Sequence, residues 1–507
     1  MNLNNIPDNT PVLVGAGQVV EREATHNSPM NLASRAAADA VADCGGRDIA
    51  AAIDTIAMVR LFSDSAPMWA CPFGRSNNPP QSIATHIGAN PHDRIYSQPG
   101  GNQPLHLLIE AAKAISSGDK SMVLLAGAEA IRNQRSAQRK DQTLDWAEDF
   151  SEALDDRGLG VPLATRQEQK NGMVMPVFYY ILIEQARRAR LALDVDAYRA
   201  ACGELLQTFS QVAADNPYSQ FPGAMTAADI LGADPMTHLY TKRMVAQDGV
   251  NQAAAVILCS VGKARELGIP EQNWVFLHGV AEGSELNLSE RADPDTSAMA
   301  GLVANRALDI AATATADLDM IDIYSCFPCA VTAISDQLGL PADGSVPLTM
   351  TGGLPYFGGP GNNYSMHALA ETVWRLRDSE SARALVTANG GMLSKHAAGV
   401  FSRRPSVLNW AETETYIDNA VLERKPIAAD PGTGTIISYT VNYYQGTPAQ
   451  AIVLGETDGG ERFISCTAPE DQATVQALLE SEPTGKRVLV APPKDHTLHF
   501  TLAESAQ

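Results

Sequence analysis

The residues that could do chemistry fall in four short stretches. The first, YSQPGGNQP from Tyr96 to Pro104, runs into the helix pattern LHLLIEAAKAISSGD. A strand, a glycine pair and a helix start make a common platform for a nucleophile, because the positive end of a helix favours an anion. This platform is bare: it holds no cysteine, and its only serine, Ser97, precedes the glycines. The second stretch, IYSCFPC, carries Tyr324, Cys326 and Cys329. Cys326 would need a nearby base to act as a nucleophile. Packing in a pocket wall is the plainer expectation for it. A redox or metal role for the CFPC pair lacks a second pair of ligands. The third stretch, GGLPYFGGPGNNYSMHA, brings Asn362, Asn363 and His367; the fourth, TANGGMLSKHAAGV, brings Asn389 and His396. Either histidine could move a proton near neutral pH, and either could equally be a hydrogen-bonded structural residue. Asn102, Asn362 and Asn389 could donate to a carbonyl oxygen, or serve the turns beside their glycines.

The elements that must position these residues repeat along the chain. LASRAAADAVADCGGRDIAAAIDTIAMVR from Leu32 resembles LVANRALDIAATATADLDMIDIYSCF from Leu302. Arg35 matches Arg306, and Ile53-Asp54 matches Ile321-Asp322. Each copy reads as a helix and a strand, opened by a strand (PVLVGAGQV, WVFLHGVAEG) and followed by a buried strand (SMVLLAGAEA, RALVTANGG). Continuous apolar strands separated by helices imply a sheet covered on both faces. Two α/β halves are therefore expected, at 1–265 and 266–405. The polar segment 131–241 reads as a cap inserted in the first half, of the kind that shapes substrate access. Residues 406–424 read as a linker. Residues 425–507, with short β-branched strands between Gly, Pro and Asp, read as a small all-β, OB-like domain.

Composition excludes some functions. The chain of 507 residues has a formal net charge of −21. Such a surface repels nucleic acid and anionic membranes. No apolar run is long enough to span a bilayer, and the N-terminus lacks a signal-peptide pattern, so a cytoplasmic protein is expected. Seven scattered cysteines argue against a disulfide framework, and the ten histidines show no metal-ligand spacing.

The repeated halves, the cap and the four glycine-bearing stretches together resemble the thiolase superfamily. The closest resemblance is to the sterol-carrier-protein-type thiolases and the bacterial thiolase-like proteins of type 1, which add a C-terminal β-domain. It implies a five-layer αβαβα core from two repeated halves and a coenzyme A thioester as substrate, with no permanently bound cofactor. Laid on the family's motifs, the nucleophilic cysteine falls at Gly101, the Asn or His of the second motif at Tyr324, the Gly-His-Pro histidine at Gly359, and the Cys-x-Gly cysteine at Ala388. All four positions have departed from the family's chemistry.

The resemblance thus implies an acyl-CoA-acting protein, acetyl-CoA C-acyltransferase-like (Claisen condensation or thiolysis), with a non-standard site. The catalytic candidates are Cys326, His396, His367 and Tyr324. Gly100, Gly101, Asn102, Asn362 and Asn389 form the candidate thioester cradle, and Lys242 and Arg243 the candidate phosphate contacts. Lys395 and the cap arginines Arg187, Arg188 and Arg190 are further cations for the phosphates. One alternative is a retro-aldolase on a β-hydroxyacyl-CoA using Tyr324, since related retro-aldolases carry a Tyr at that position. The other is a non-catalytic acyl-CoA or lipid-binding protein. Either a monomer or a homodimer fits the resemblance.

Overall fold

The computed structural model describes residues 5–379, 381–406 and 408–503. In the first half the strands are β1 (Pro11–Val20), β2 (Thr55–Met58), β3 (Asp93–Tyr96), β4 (Met122–Ala130), β5 (Asp155–Asp156) and β6 (Asn251–Ser260). In the second they are β7 (Val275–Ser284), β8 (Met320–Asp322), β9 (Arg383–Gly390) and β10 (Lys395–Ser402), with β11 (Tyr416–Ile417) beside β7. Their order is β5-β3-β2-β4-β6-β1-β7-β10-β9-β8. The seam between the halves is the short antiparallel contact of β1 with β7, at Val12–Phe276 and Leu13–Val275. On either side of it the order mirrors, β2-β4-β6-β1 against β8-β9-β10-β7. The sheet is mixed: β2 with β4 and β8 with β9 are parallel, while β6 and β10 run antiparallel to their neighbours.

Helices Pro29–Asp43 and Ala298–Ile310 cover the outer faces of the two halves. Helices Gln103–Ser117 and Tyr364–Arg377 pack on each other and on strands of both halves, forming the middle layer. The result is the expected five-layer core. Two glycines show why the outer helices lie so close. A Cβ on Gly17 would overlap Ala36 O and stand 2.7 Å from Ala40 N; one on Gly279 would overlap Ala307 O and stand 2.7 Å from Ala311 N. The matched aspartates do different work: β2 and β8 align Thr55 with Met320, so the counterpart of Asp54 is Asp319, whose Oδ2 accepts from Arg383 N at 2.9 Å, and Asp322 lies three residues further on. Asp54 Oδ2 accepts from Ser121 N (2.6 Å) and Met122 N (3.1 Å); Asp322 Oδ2 accepts from Met350 N (2.7 Å) and Thr351 N (3.1 Å).

Segment 131–241 folds as helices around a buried aromatic cluster that includes Tyr179, Tyr180, Tyr198, Phe209 and Tyr240. Its helix Pro176–Arg190 touches both the core helix Pro328–Leu338 and the C-terminal sheet. It also contributes β5, which pairs with the outer side of β3 and so blunts a sheet edge.

The C-terminal sheet runs β14 (Arg462–Cys466), β13 (Thr447–Glu456), β12 (Thr433–Tyr444), β15 (Arg487–Val490), β16 (Phe500–Leu502). Cys466 N donates to Leu498 O at 3.1 Å, bringing the two ends of this path together in a small barrel. One helix, Gln472–Glu480, packs on β13, an element the strand pattern did not announce. The barrel is fixed to the cap: Ser438 Oγ donates to Leu182 O at 2.6 Å, His238 stacks on Tyr439 at 4.8 Å, and Arg188 pairs with Glu482. Among the described residues no helix is long and apolar enough to cross a membrane.

Candidate active site

The glycine pair lies where the two halves meet. Gly100 has φ +142°, a conformation that suits glycine. Its N–H donates to Asn362 Oδ1 at 2.9 Å, and Ser365 Oγ donates to Gly101 O at 2.9 Å. Asn362 also donates from Nδ2 to Arg60 O (2.8 Å) and Ser65 Oγ (3.1 Å). Its amide is fully engaged with protein, so Asn362 positions the loop and does not face a ligand as the cradle expectation had it.

A Cβ on Gly101 would overlap Tyr324 Oη, with Tyr324 Cζ at 2.7 Å and Asn389 O at 2.5 Å. The room a nucleophile's side chain would need is filled by a phenol from the other half. Tyr324 follows β8 and packs edge-on against Tyr364, ring centroids 5.4 Å apart. Among the described residues its hydroxyl has no hydrogen-bond partner. Burial, with Cys326 close by, holds its pKa well above the ordinary phenol value. Tyr324 therefore stays protonated: it is a hydrogen-bond donor and a poor base.

Cys326 lies beside it, buried, with Asn389 Nδ2 at 3.7 Å from Sγ. Burial pushes its thiol up to about 12, against the hydrogen bonds from Tyr180 and Asn389 that lower it. Among the described residues no base is hydrogen-bonded to it, so Cys326 stands as a buried, protonated thiol and not as an activated nucleophile. Asn389 Nδ2 also donates to Tyr180 Oη at 2.7 Å, while its Oδ1 is buried without a partner. Asn102 is the N-cap of helix Gln103–Ser117 but makes no capping bond; its Oδ1 is wedged between Gly100 and Gly390, also unpartnered. Gly100, Gly101, Asn102, Asn389, Tyr324 and Cys326 thus come together.

His367 does not join them, and His396 only borders a cleft beside Asn102. His367 is fully buried, its Nδ1 2.5 Å from Gln18 Oε1 and its ring edge-on to Phe357. Burial pushes it down to about 3. Gln18 in turn donates to Glu371, so His367 belongs to a core network. His396 Nε2 lies 3.0 Å from Ser297 Oγ, which donates to Glu285 Oε2 at 2.9 Å. Burial, with Glu285 raising and Arg291 lowering, takes His396 down to about 4. Both rings are neutral at pH 7, and both are hydrogen-bonded to protein groups, so neither stands as a free acid or base beside the glycine loop.

Of the cations, exposed Lys242 pairs with Asp234 at 2.9 Å. Arg243 is exposed, its guanidinium has no ion pair among the described residues, and its carbonyl accepts from Tyr356 Oη at 3.0 Å. Three residues on, Ala246 N donates to Cys326 O at 2.9 Å, which ties this segment to the site. The cap arginines are engaged elsewhere: Arg187 with Asp336, Arg188 with Glu482, Arg190 with Asp295. Sequence reasoning missed Tyr180, whose hydroxyl accepts from Leu393 N at 3.0 Å as well as from Asn389, and whose ring stacks on Phe327 at 4.2 Å. It also missed Glu184 one turn later, buried and accepting from Tyr240 Oη (2.5 Å) and Cys329 N (2.8 Å). Their four-residue spacing on one helix face was the available signal. Among the described residues no three His, Cys, Asp or Glu side chains stand close enough to hold a metal ion.

Residues 417–495 match the family model "Thiolase-like protein type 1 additional C-terminal domain". The crystal structure of a monomeric SCP2-thiolase-like protein type 1 from Mycobacterium smegmatis is similar across 98% of this chain and 100% of its own, with 36% identity and a TM-score of 0.81. A structure described as an Ltp2-ChsH2(DUF35) aldolase shares the fold over 79% of this chain and 99% of its own, at 16% identity and a TM-score of 0.59. Among curated proteins, an acetyl-CoA acetyltransferase of Methanothermobacter thermautotrophicus is 26% identical over 245 residues, 44% of this chain. The match spans 61% of that relative's length. With its core, its cap and its C-terminal barrel all accounted for, this chain belongs to the SCP2-thiolase-like proteins of type 1.

Proposed function

We propose that the chain binds acyl-CoA thioesters at the Gly100–Gly101 loop and polarises the thioester carbonyl without forming an acyl-enzyme. One observation carries this: Tyr324 Oη occupies the space of a nucleophile at position 101, as a protonated donor with no partner of its own. The hydroxyl and the start of helix Gln103–Ser117 supply donors to an oxyanion. The orphaned Asn389 Oδ1 suits an amide N–H of the pantetheine arm. Arg243 suits a phosphate. The acetyltransferase name of the curated relative supports the acyl-CoA ligand. A covalent Claisen or thiolysis route has no thiol at 101 to run through. A cytoplasmic monomer fits this reading, since β5 covers the β3 edge and the M. smegmatis protein is described as monomeric.

The test is calorimetric titration with acetyl-CoA and longer acyl-CoAs, with intact-mass measurement after incubation. Saturable binding with no acyl adduct is expected, and Tyr324→Phe is expected to weaken it about tenfold. A stable acyl adduct, or thiolysis that disappears in Cys326→Ala, sinks the proposal.

A second reading, retro-aldol cleavage of a β-hydroxyacyl-CoA, is favoured by the unpartnered Tyr324 hydroxyl and the aldolase likeness in fold. Tyr324 would donate to the enolate oxygen. The reading requires aldehyde or ketone release without added CoA, and full activity in Tyr324→Phe rules it out.

A further inference from the structure

A cleft of about 250 Å³ lies beside the glycine loop, lined by Gln98, Asn102 and Lys395 among others and not by Tyr324. The directions of the missing side chains separate the two faces. A Cβ on Gly101 points at Tyr324, whereas one on Gly100 comes within 3.7 Å of Lys395 Cδ. Lys395 begins β10 and lines the cleft, and its residue is 8% exposed.

The other charges lining this cleft are paired. His106 Nδ1 meets Glu282 Oε2 at 2.7 Å, and Arg157 meets Glu110 at 2.9 Å and Asp155 at 2.7 Å. Lys395 is the exception. Its Nζ donates only to Pro99 O, at 3.3 Å, and no carboxylate lies within ion-pair distance among the described residues. Burial lowers its pKa below the ordinary lysine value, and no acidic partner opposes the shift. Beside it stands Asn102, 7% exposed, whose side-chain amide makes no hydrogen bond among the described residues. Its Oδ1 is fully buried against the glycines, so Nδ2, a donor, is the atom that meets the cleft. An ammonium lacking a counter-charge and an amide donor lacking an acceptor share one cavity. The cleft's lining is also apolar in places: Val161, 73% exposed as a hydrophobic residue, and Tyr416, 48% exposed, both border it.

We propose that this cleft is a receptor for a small monocarboxylate with an apolar tail, its carboxylate held by Lys395 Nζ and Asn102 Nδ2 and its tail lying against Val161 and Tyr416. One unpaired positive charge matches one negative charge. Glu110 and Glu282 in the same walls disfavour a dianion such as phosphate. The site shares Asn102 with the glycine loop, but its charge comes from Lys395 and it does not depend on the acyl-CoA reading.

The experiment titrates the full chain with sodium hexanoate, and separately with hexanol and inorganic phosphate, by calorimetry. Saturable binding of hexanoate alone is expected. Lys395→Met should weaken it about tenfold or more, because a charge-assisted bond is lost. Lys395→Arg should retain part of it. Val161→Trp, at an exposed position that folding does not need, should block it with the melting temperature unchanged. Tyr324→Phe should leave it as it was. Hexanol or phosphate binding as well as hexanoate, Lys395→Met or Val161→Trp binding like wild type, or loss in Tyr324→Phe would each overturn the assignment.

Discussion

The loop before helix Gln103–Ser117 and the loop before helix Tyr364–Arg377 are built on one plan. Each helix starts from a buried asparagine, Asn102 or Asn363, that makes no capping bond. Each asparagine rests on a strand glycine of the opposite half: a Cβ on Gly390 of β9 would overlap Asn102 Oδ1, and one on Gly127 of β4 would overlap Asn363 Oδ1. They differ one residue earlier. Asn362 holds three protein groups and completes its loop; Gly101 has no side chain, and Tyr324 from the other half fills the room. The C-terminal loop is closed by hydrogen bonds. The N-terminal loop is closed by packing against a hydroxyl that has no partner, which leaves it the place for a ligand.

The largest effect should come from breaking the shared plan itself. Gly17→Ala and Gly279→Ala each push a methyl into the backbone of an outer helix, which cannot move aside as a side chain can. Each should cost about 3 kcal/mol or more, read as a fall in the thermal midpoint. Similar falls support equivalent halves, and a large inequality breaks the comparison.

Next comes the carboxylate under the C-terminal loop. Glu129 Oε1 packs against Gly361 and accepts from Phe62 N at 2.7 Å. Burial raises its pKa to about 8, against that hydrogen bond, with Asp64 and Asp248 adding to the rise. From the ordinary carboxyl value up to about 8 the folded chain holds a proton the unfolded chain has released, so stability falls as pH rises through that window. Glu129→Gln should remove this slope and stabilise the chain by up to about 3 kcal/mol at pH 7. Thermal midpoints at pH 5 and pH 8 check it: wild type should lose stability between them and the variant should not.

Smaller is the effect of refilling the bare position. Gly101→Ala should cost about 2 kcal/mol. Gly101→Cys should pay a similar cost without gaining thiolysis, since Asn389 O is backbone and cannot vacate the space. A Gly101→Cys chain that melts like wild type and forms an acyl adduct would show that the N-terminal loop is as adaptable as a side-chain-bearing one.

The repeat was legible because it rests on local pattern. Arg35 and Arg306 sit at equivalent points of the outer helices, whereas the Asp54–Asp322 match is three residues out: Asp319 is the residue that bonds the start of the next strand as Asp54 does. The C-terminal strands were legible for the same reason. The roles of the site residues were not, because each depends on what lies across a distant contact. His396 follows Lys395 on β10, yet alternation along a strand sends one side chain to Pro99 and the other to Ser297. His367 sits four residues after Asn363 and is still a core residue, because its helix is buried between the two halves. Tyr180 reaches Asn389 across 209 positions of sequence, and no periodicity in the cap helix records that. The helix Gln472–Glu480 was lost among strands because only its spacing of Val475 and Leu478, both buried, marks it.

The smallest expected change in stability tests the comparison most directly. Tyr324→Phe removes one oxygen and keeps the ring, so the packing on Tyr364 and the filling beside Gly101 remain. Because the hydroxyl has no partner among the described residues, its removal breaks no hydrogen bond. The thermal midpoint should move by less than about 0.5 kcal/mol equivalent, in either direction. Asn362→Ala, which empties the C-terminal counterpart, leaves Gly100 N and Arg60 O without their partner and should cost about 2 kcal/mol in the same assay. A Tyr324→Phe chain that melts as low as Asn362→Ala would mean that the hydroxyl is structural after all, and the N-terminal loop would then be closed in the same way as its twin.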